Sequence, residues 1–512
     1  MAMLGKRRPR RERSGVSGLQ GRQAPQGAPD ARDDEARGVD AGDDKPRGVV
    51  IERLAHDGRG LAHDAAGKTL FVEGALPGER VEAAVHLTRK RFDEAHVRDL
   101  IDASPERVIP PCAHYGRCGG CDLQHLAVPA QRRHKLAVLT DLLARQGVNT
   151  PDKPQLLAGA DHGYRRRARL GVKVGAEGQL HLGFRAHHSH RLVDIEHCTI
   201  LVPRLDVLLV PLHRQVASLD APRQVGHLEL LDSDQGAVLL VRQLKEHAGD
   251  RARWLAFAAQ HGIHLAWLAG RESPKLEWLT PVPALSVPVP SASGASAPGA
   301  SAPGASAPGA SGAAEALTLG FSPGDFLQAN AEINRQMVAT ALTWFGDLEG
   351  AVLLDLFAGV GNFSLPLASA GARVTAVEGS PTMIARLADN ARDNSRGQPL
   401  AVTARQADLN DAQSVKGLLT EVAPDAVLLD PPRDGADAVC SVLAATPVPR
   451  VLYVSCDPAT LARDAARLVH GGYRLTRLAV ADMFVHTSHL ESMLLFEHPR
   501  TGQRRQGATS DG

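Results

Sequence analysis

From Asn330 to His498 the sequence alternates short apolar runs with helical stretches, and each apolar run stops on polar residues. Such alternation marks a largely parallel sheet covered by helices. The first run, Ala351 to Phe357, passes into Ala358-Gly359-Val360-Gly361-Asn362 and a helix from Phe363. Arg373 to Val377 ends in Glu378, and Val402 to Gln406 precedes Asp408. Ala426 to Leu429 ends in Asp430-Pro431-Pro432-Arg433, and Arg450 to Val454 ends in Ser455-Cys456-Asp457-Pro458. The carboxyl ends of parallel strands lie on one edge, where ligands bind. These residues therefore converge in space although they are spread along the chain.

The glycines after the first run let backbone approach a ligand closely at a helix N-terminus. Alone, that turn also fits dinucleotide binding. Glu378 suits a ribose diol, and Asp408, with Asn410 and Asp411 close by, suits an adenine amino group. Each acid taken singly could be a helix N-cap. Together the five strand ends look like an S-adenosylmethionine-dependent methyltransferase. Cys456 precedes a helix that begins near Ala459, whose N-terminus is expected to favour the thiolate; the position alone fits a buried cysteine equally well. Cys440, inside the helical run Ala436 to Ala444, reads as core.

A nucleophilic cysteine beside a methyl donor makes sense if the target is pyrimidine C5. That carbon is too weak a nucleophile to take the methyl directly. Thiolate addition at C6 makes it enolate-like, and a base must later remove the C5 proton. The candidate base is Glu491, in His486-Thr487-Ser488-His489-Leu490-Glu491-Ser492-Met493, just before the final apolar run Leu494-Leu495-Phe496. In isolation it could be an ordinary surface glutamate.

Asp-Pro-Pro-Arg at 430–433, Ser-Cys-Asp-Pro at 455–458, His-Leu-Glu-Ser-Met at 489–493 and Phe326-Leu327-Gln328-Ala329-Asn330 together resemble the RNA (uracil-C5)-methyltransferase family. The resemblance runs from about Gly48 to His498. It implies an α/β, Rossmann-like class I methyltransferase domain with Cys456 as nucleophile and Glu491 as proton acceptor. It further implies that Gln328, Phe357, Asn362, Glu378, Asp408 and Asp430 line the cofactor and uracil site. One position departs from the family pattern: Asp457 stands where asparagine is usual.

Ahead of this domain, Val49 to Ile51, Lys68 to Val72, Arg80 to Val85 and Glu94 to Val97 read as short strands separated by turn residues, which predicts a small β-barrel. Formal net charge is only +1, so any affinity for nucleic acid must come from charge placement. Arg89-Lys90-Arg91 with Phe92 could grip single-stranded nucleic acid by charge and stacking; a basic loop on a structural barrel is the alternative. Arg165-Arg166-Arg167 and Arg169 could contact phosphates, or could be a solvated basic strand.

Six cysteines in 512 residues do not make a disulfide scaffold. Cys112, Cys118 and Cys121 cluster tightly, and Cys198 lies far downstream. Spacing leaves zinc, with His114 or His125 as further ligands, and an iron–sulfur cluster both open. The resemblance implies a 4Fe-4S cluster on Cys112, Cys118, Cys121 and Cys198, in a structural or RNA-positioning role. Within the family, the barrel then corresponds to a TRAM domain, OB-like, and the middle region to a central iron–sulfur domain. That domain content points to members acting on 23S ribosomal RNA, with the target uracil flipped out for reaction.

The expected organisation is a disordered tail over 1–46, the barrel over 47–103 and the central domain over 104–329. A low-complexity insertion lies at 287–315, the methyltransferase domain spans 330–498, and 499–512 form a second tail. The basic start Lys6 to Arg11 is followed by no apolar stretch, so a secretory signal is not expected and the location is read as cytoplasmic. No membrane and no obligate protein partner are expected. Three rival readings are the same chemistry on another RNA, a non-catalytic assembly factor, and a DNA amino-methyltransferase suggested by Asp-Pro-Pro. The last would not need Cys456.

Overall fold

A computed structural model describes residues 47–187, 189–270, 275–291, 317–395 and 399–499. The expected tails and the Ala-Ser-Pro-Gly repeat lie outside the described residues, apart from 287–291 and 499. Strands β1 (Arg47–Val50), β2 (Arg53–Leu54), β3 (Gly60–His63), β4 (Thr69–Glu73), β5 (Arg80–Thr88) and β6 (Phe92–Asp102) form one sheet in the order β1-β5-β6-β4-β3-β2. Alternate residues such as Val81, Ala83 and Val85 point into a single core with Val49, Ile51, Leu70, Val72 and Ala95, as period-two side-chain alternation requires. Gly60 has no substitute there: a Cβ would sit 2.9 Å from both Ala75 and Ile51.

Next come α1 (Val128–Arg145) and β7 (Gln155–Leu157). A seven-stranded sheet follows, built from β8 (Arg167–Val174), β9 (Leu180–Arg185), β10 (Leu192–Asp194), β11 (Val225–Ser233), β12 (Gly236–Gln243), β13 (His264–Ala269) and β14 (Lys275–Trp278). Its order is β10-β9-β8-β11-β12-β13-β14, and only β12 and β13 run parallel. Helices α2 (Pro203–Asp206), α3 (Leu209–Ala217) and α4 (Ala248–His261) accompany it, with Leu209, Leu212, Trp254 and Phe257 in the shared core. Strands β15 (Ser286–Val289) and β16 (Leu317–Gly320) pair across the low-complexity segment.

The last region contains α5 (Ala331–Phe345), β17 (Val352–Leu356), α6 (Ser364–Ser369), β18 (Arg373–Glu378), α7 (Pro381–Asp393), β19 (Val402–Gln406) and α8 (Ala412–Val422). It continues with β20 (Ala426–Leu429), α9 (Asp437–Ala445), β21 (Arg450–Ser455), α10 (Pro458–His470), β22 (Arg474–Ala481) and β23 (Glu491–Glu497). The sheet order is β19-β18-β17-β20-β21-β23-β22-β7. The first five strands are mutually parallel, whereas β23 runs antiparallel between β21 and β22. Both faces are covered. Leu354, Leu356, Val451 and Tyr453 meet α9, α10 and α1 on one side, and Leu353, Leu428, Leu452 and Val454 face α5 and α6 on the other. This double burial explains why the strands read as unbroken apolar runs. Cys440 is fully buried in α9, as expected for a core residue.

Within 104–329, α1 and β7 pack with the methyltransferase sheet: β7 extends its edge beside β22, and Leu139 and Leu143 of α1 join its core. A buried ion pair fastens α1 further. Lys135 Nζ, 1% exposed, donates to Asp482 Oδ1 at 2.7 Å and to the Phe484 carbonyl at 2.8 Å, while Arg132 reaches Asp482 Oδ2 at 2.8 Å. Removing one partner of such a pair typically costs about 3–5 kcal/mol, because a charge is left uncompensated. No helix among the described residues is long and apolar enough to cross a membrane.

Candidate active site

The antiparallel register of β21 and β23 defines the reactive edge. Val454 pairs with Met493 and Ser455 with Ser492, so Cys456 and Glu491 each lie one residue beyond the last pair, close enough for the Glu491 charge to act on the thiol. Asp430 leaves the neighbouring β20, whose Leu429 lies beside Tyr453. Cys456 is half-buried and Glu491 is 4% exposed. Burial pushes the Cys456 thiol up to about 11, and the charges of Glu491 and Asp430 act in the same direction while Arg433 opposes them. Burial also drives Glu491 well above the usual carboxylate range, with Asp430 adding to the shift and Arg433 again opposing. Asp430 itself is pushed up to about 7, by burial and then by Asp355. One thiol and two acids thus crowd a partly buried edge, with the exposed Arg433 as the nearby cation. Arg433 is exposed and makes no ion pair among the described residues; the sequence carried it only as part of a motif.

The expected thiolate stabilisation by the α10 N-terminus is not found. Asp457 is the N-cap of that helix, and its Oδ1 accepts the N–H groups of Ala459 and Thr460 at 3.1 and 2.9 Å. The carboxylate occupies the donors and adds negative charge beside Cys456. Aspartate and asparagine cap helices about equally well, so Asp457 fills the capping role that an asparagine would fill here.

On the cofactor side, Phe357 (φ 63°), Gly359 (φ 58°) and Gly361 (φ 101°) turn the backbone left-handed after β17. That conformation is uncommon for an aromatic residue and clusters at functional sites. Glu378 ends β18 and accepts the N–H groups of Gly359 at 3.3 Å and Ser380 at 2.9 Å. Asn362 is locked to Asn334 of α5 by reciprocal amide bonds of 2.8 and 2.9 Å. Gln328 is half-buried two residues before Asn330, which caps α5. Asp408 is exposed and folds into a turn through Asn410, with Oδ1 accepting its N–H at 2.9 Å. Asp411 is committed to capping α8, which leaves Asp408 as the freer acid of this group. Asp355 went unflagged in the sequence. It is 1% exposed, accepts the Ser364 hydroxyl, and is pushed up to about 7 by burial and then by Glu378. An aspartate in the middle of an apolar strand was a readable signal.

Cys112, Cys118 and Cys121 share one loop, and Cys198 follows β10; all four are half-buried free thiols. Burial pushes Cys121 up to about 12 and Cys198 up to about 11, with the neighbouring cysteines contributing to each. Among the described residues, the one group of three metal-ligating side chains whose atoms lie within 4.8 Å of one another is Asp220, His247 and Asp250. Its donors are already used: His247 caps α4, and Asp250 accepts the N–H groups of Asp220 and Ala221 and pairs with Arg253.

The arginines expected to meet phosphate are largely committed elsewhere. Arg166 pairs with Asp232 at 2.9 Å, Arg167 pairs with Glu229 at 2.6 Å, and Arg169 lies against His227. Arg165 donates to the carbonyl of Arg167. Exposed arginines without ion pairs among the described residues occur instead around the cysteine loop, at Arg117, Arg185 and Arg191. The backbone ties them together: Gly119 N–H donates to the Arg185 carbonyl at 2.8 Å, and Ala186 N–H to the Arg191 carbonyl at 2.9 Å. Arg89, Lys90 and Arg91 are exposed at the β5–β6 turn, while Phe92 packs edge-on against Phe71 at 5.4 Å.

The family described as tRNA (Uracil-5-)-methyltransferase matches residues 315–499, and the TRAM domain matches residues 47–97. The 23S rRNA (uracil(1939)-C(5))-methyltransferase RlmD of Halomonas elongata is 57% identical over 518 residues, covering 100% of both chains. The enzyme of the same name from Chromohalobacter salexigens is 52% identical, covering 97% of this chain and 95% of its own. Among solved structures, Pyrococcus abyssi tRNA (uracil-54, C5)-methyltransferase in complex with S-adenosyl-L-homocysteine aligns with a TM-score of 0.64 at 20% identity. That alignment covers 88% of this chain and 100% of the other, and it shows a shared fold.

Proposed function

The chain belongs to the 23S rRNA (uracil(1939)-C(5))-methyltransferase family, and from that premise we propose how its residues divide the chemistry. The reaction is S-adenosylmethionine-dependent methylation of C5 of uridine 1939 in 23S ribosomal RNA. When bound, the cofactor supplies an electrophilic methyl on its sulfonium. Cys456 gives its proton to water and its sulfur bonds to uracil C6, which moves the C5–C6 π pair onto C5 and O4. C5 then bonds to the methyl as the methyl–sulfur bond of the sulfonium breaks, its electron pair staying on that sulfur so that S-adenosylhomocysteine leaves. Glu491 takes the remaining C5 proton, the electron pair of that C–H bond restores the C5–C6 double bond, and the C6–S bond breaks to return the cysteine. A base must lie within hydrogen-bond reach of its proton. The observation that carries this reading is the β21–β23 register, whose last pair, Ser455 with Ser492, is one residue short of both Cys456 and Glu491.

Glu378 and Asp408 are assigned to the ribose and adenine of the cofactor. Gln328, Phe357, Asn362 and Asp430 complete the pocket for cofactor and uracil. We assign 47–103 to the RNA-binding TRAM barrel, 104–329 to the cysteine-bearing region and 330–498 to methyl transfer, in a cytoplasmic enzyme that needs no obligate protein partner.

The decisive measurement is release of tritium from 23S RNA labelled at uridine C5. Release that depends on S-adenosylmethionine is expected. Release from transfer RNA in its place would overturn the substrate.

We also assign a 4Fe-4S cluster to Cys112, Cys118, Cys121 and Cys198. Tetrahedral zinc, with Zn–S near 2.3 Å, would draw its thiolates to about 3.8 Å from one another. Four cysteines, three on one loop and the fourth after β10, would supply one thiolate for each iron of a 4Fe-4S cluster. The cluster would cross-link the loop to the segment after β10, because the methylation above is polar and consumes no electrons. Purified protein should carry iron and acid-labile sulfide in equal amounts; stoichiometric zinc instead would sink the assignment.

A further inference from the structure

The loop that delivers Glu491 is held from outside its own sheet. It runs from Asp482 to Leu490, between β22 and β23. Asp122, next to Cys121, accepts the Ser488 N–H on Oδ1 and the Ser488 hydroxyl on Oδ2, both at 2.7 Å. The N–H groups of Asp122 and Leu123 donate to the His486 carbonyl at 3.1 and 2.9 Å. Gln131 of α1 accepts the His486 N–H at 2.8 Å, and the Tyr164 hydroxyl donates to the Val485 carbonyl at 2.9 Å. Between these anchors His486 sits at φ 68°. A left-handed non-glycine residue persists only where its surroundings over-determine it. Here the cysteine loop and α1 supply that constraint, more than 350 residues away in sequence.

Glu491 is the first residue of β23, so the ladder pins it on one side only. Its other side is this loop, and Ser488 is three residues away. A misplacement of about 1 Å in a reacting group can cost about a hundredfold in rate.

We propose that Asp122 is a positioning residue for the proton-abstraction step: its two bonds to Ser488 hold the loop so that Glu491 reaches the C5 proton. The proposal rests on the reading of Glu491 as that base. The Asp122 carboxylate is engaged with Ser488, so its loss acts through the Glu491 loop, after methyl transfer, and leaves the methylated Cys456–uracil adduct waiting.

The test runs wild type, Asp122→Ala, Asp122→Asn, Ser488→Ala and Glu491→Gln on a 23S RNA fragment with S-adenosylmethionine. Covalent protein–RNA adduct is read on a denaturing gel, and iron content is measured for each preparation. Asp122→Ala should raise the adduct at least about tenfold and lower kcat about 10–100-fold, with KM for RNA and iron content near wild type. Asp122→Asn should restore turnover, because the amide oxygen still accepts the Ser488 N–H and its N–H₂ can donate to Ser488 Oγ. Ser488→Ala keeps one of the two bonds and should give an intermediate adduct; this variant decides the matter if Asp122→Ala does not fold. Adduct in Glu491→Gln but wild-type turnover in Asp122→Ala would overturn the role of Asp122 alone. So would loss of methylation and adduct together in Asp122→Ala, or absence of adduct in Ser488→Ala. Turnover without adduct in Glu491→Gln would overturn the base assignment and this proposal with it.

Discussion

Cys456→Ala is expected to remove turnover, by at least about a thousandfold, while S-adenosylmethionine still binds. The magnitude follows from losing a covalent nucleophile on which every later step depends. C5 of uracil has no other route to carbanion character at this edge. Cofactor binding should survive because the residues proposed to hold it stand elsewhere, Glu378 at the end of β18 and Asp408 after β19. Calorimetric titration of the cofactor and tritium release from C5-labelled RNA separate the two properties. Activity within about tenfold of wild type would mean that the acceptor needs no covalent addition, as an exocyclic amine would not. The same residue sets a pH dependence. Its thiol lies up at about 11, first through burial and then through Glu491 and Asp430. Below that value the thiolate fraction grows with pH, so adduct formation should rise from about pH 6 to about pH 9. Glu491, also shifted upward, must be ionised to take the C5 proton, so its limb has the same sign. A flat profile over that range would show that substrate binding has already ionised both groups.

Much of this edge was legible because a doubly covered parallel strand must be apolar throughout, so its end is marked by the first polar residue. The run Ala426–Leu429, buried at every position, is the strand itself. Strands that break this rule were not legible. The segment Arg474–Ala481 begins with Arg474 and also carries Arg477, and Gln155–Leu157 is three residues long, yet both belong to the same sheet. In the barrel, β2 and β3 flank the Asp57-Gly58-Arg59-Gly60 turn and are too short to give a periodic signal. Side-chain commitments were hidden more deeply. A run of arginines at 165–169 looks free until Asp232 and Glu229 fold against it. A cysteine before a helix looks activated until Asp457 turns back to cap that helix. The contacts of Asp122 and Gln131 with the loop before Glu491 depend on tertiary folding alone, and no local pattern announces them.

Glu491→Gln is expected to separate methyl transfer from proton loss. Glutamine keeps the size of the side chain but cannot take a proton near neutral pH. Cys456 addition and methyl transfer do not call on it, so a labelled methyl should still enter the RNA once per enzyme. The C5 tritium should then stay where it is, because nothing removes it, and release should slow by about 10²–10⁴-fold. Protein, RNA and methyl label would run together on a denaturing gel. The substitution carries a second signature of opposite sign. Once ionised, Glu491 holds the Cys456 thiol up, so a neutral amide should make adduct formation rise more steeply at the alkaline end, where Glu491 would carry its charge. A residue that merely packed the site could slow both halves of the reaction but would not speed the first while blocking the second. Methyl incorporation with tritium release and no adduct would assign the proton to another base, and Asp430, also held high by burial, would be the next carboxylate to replace.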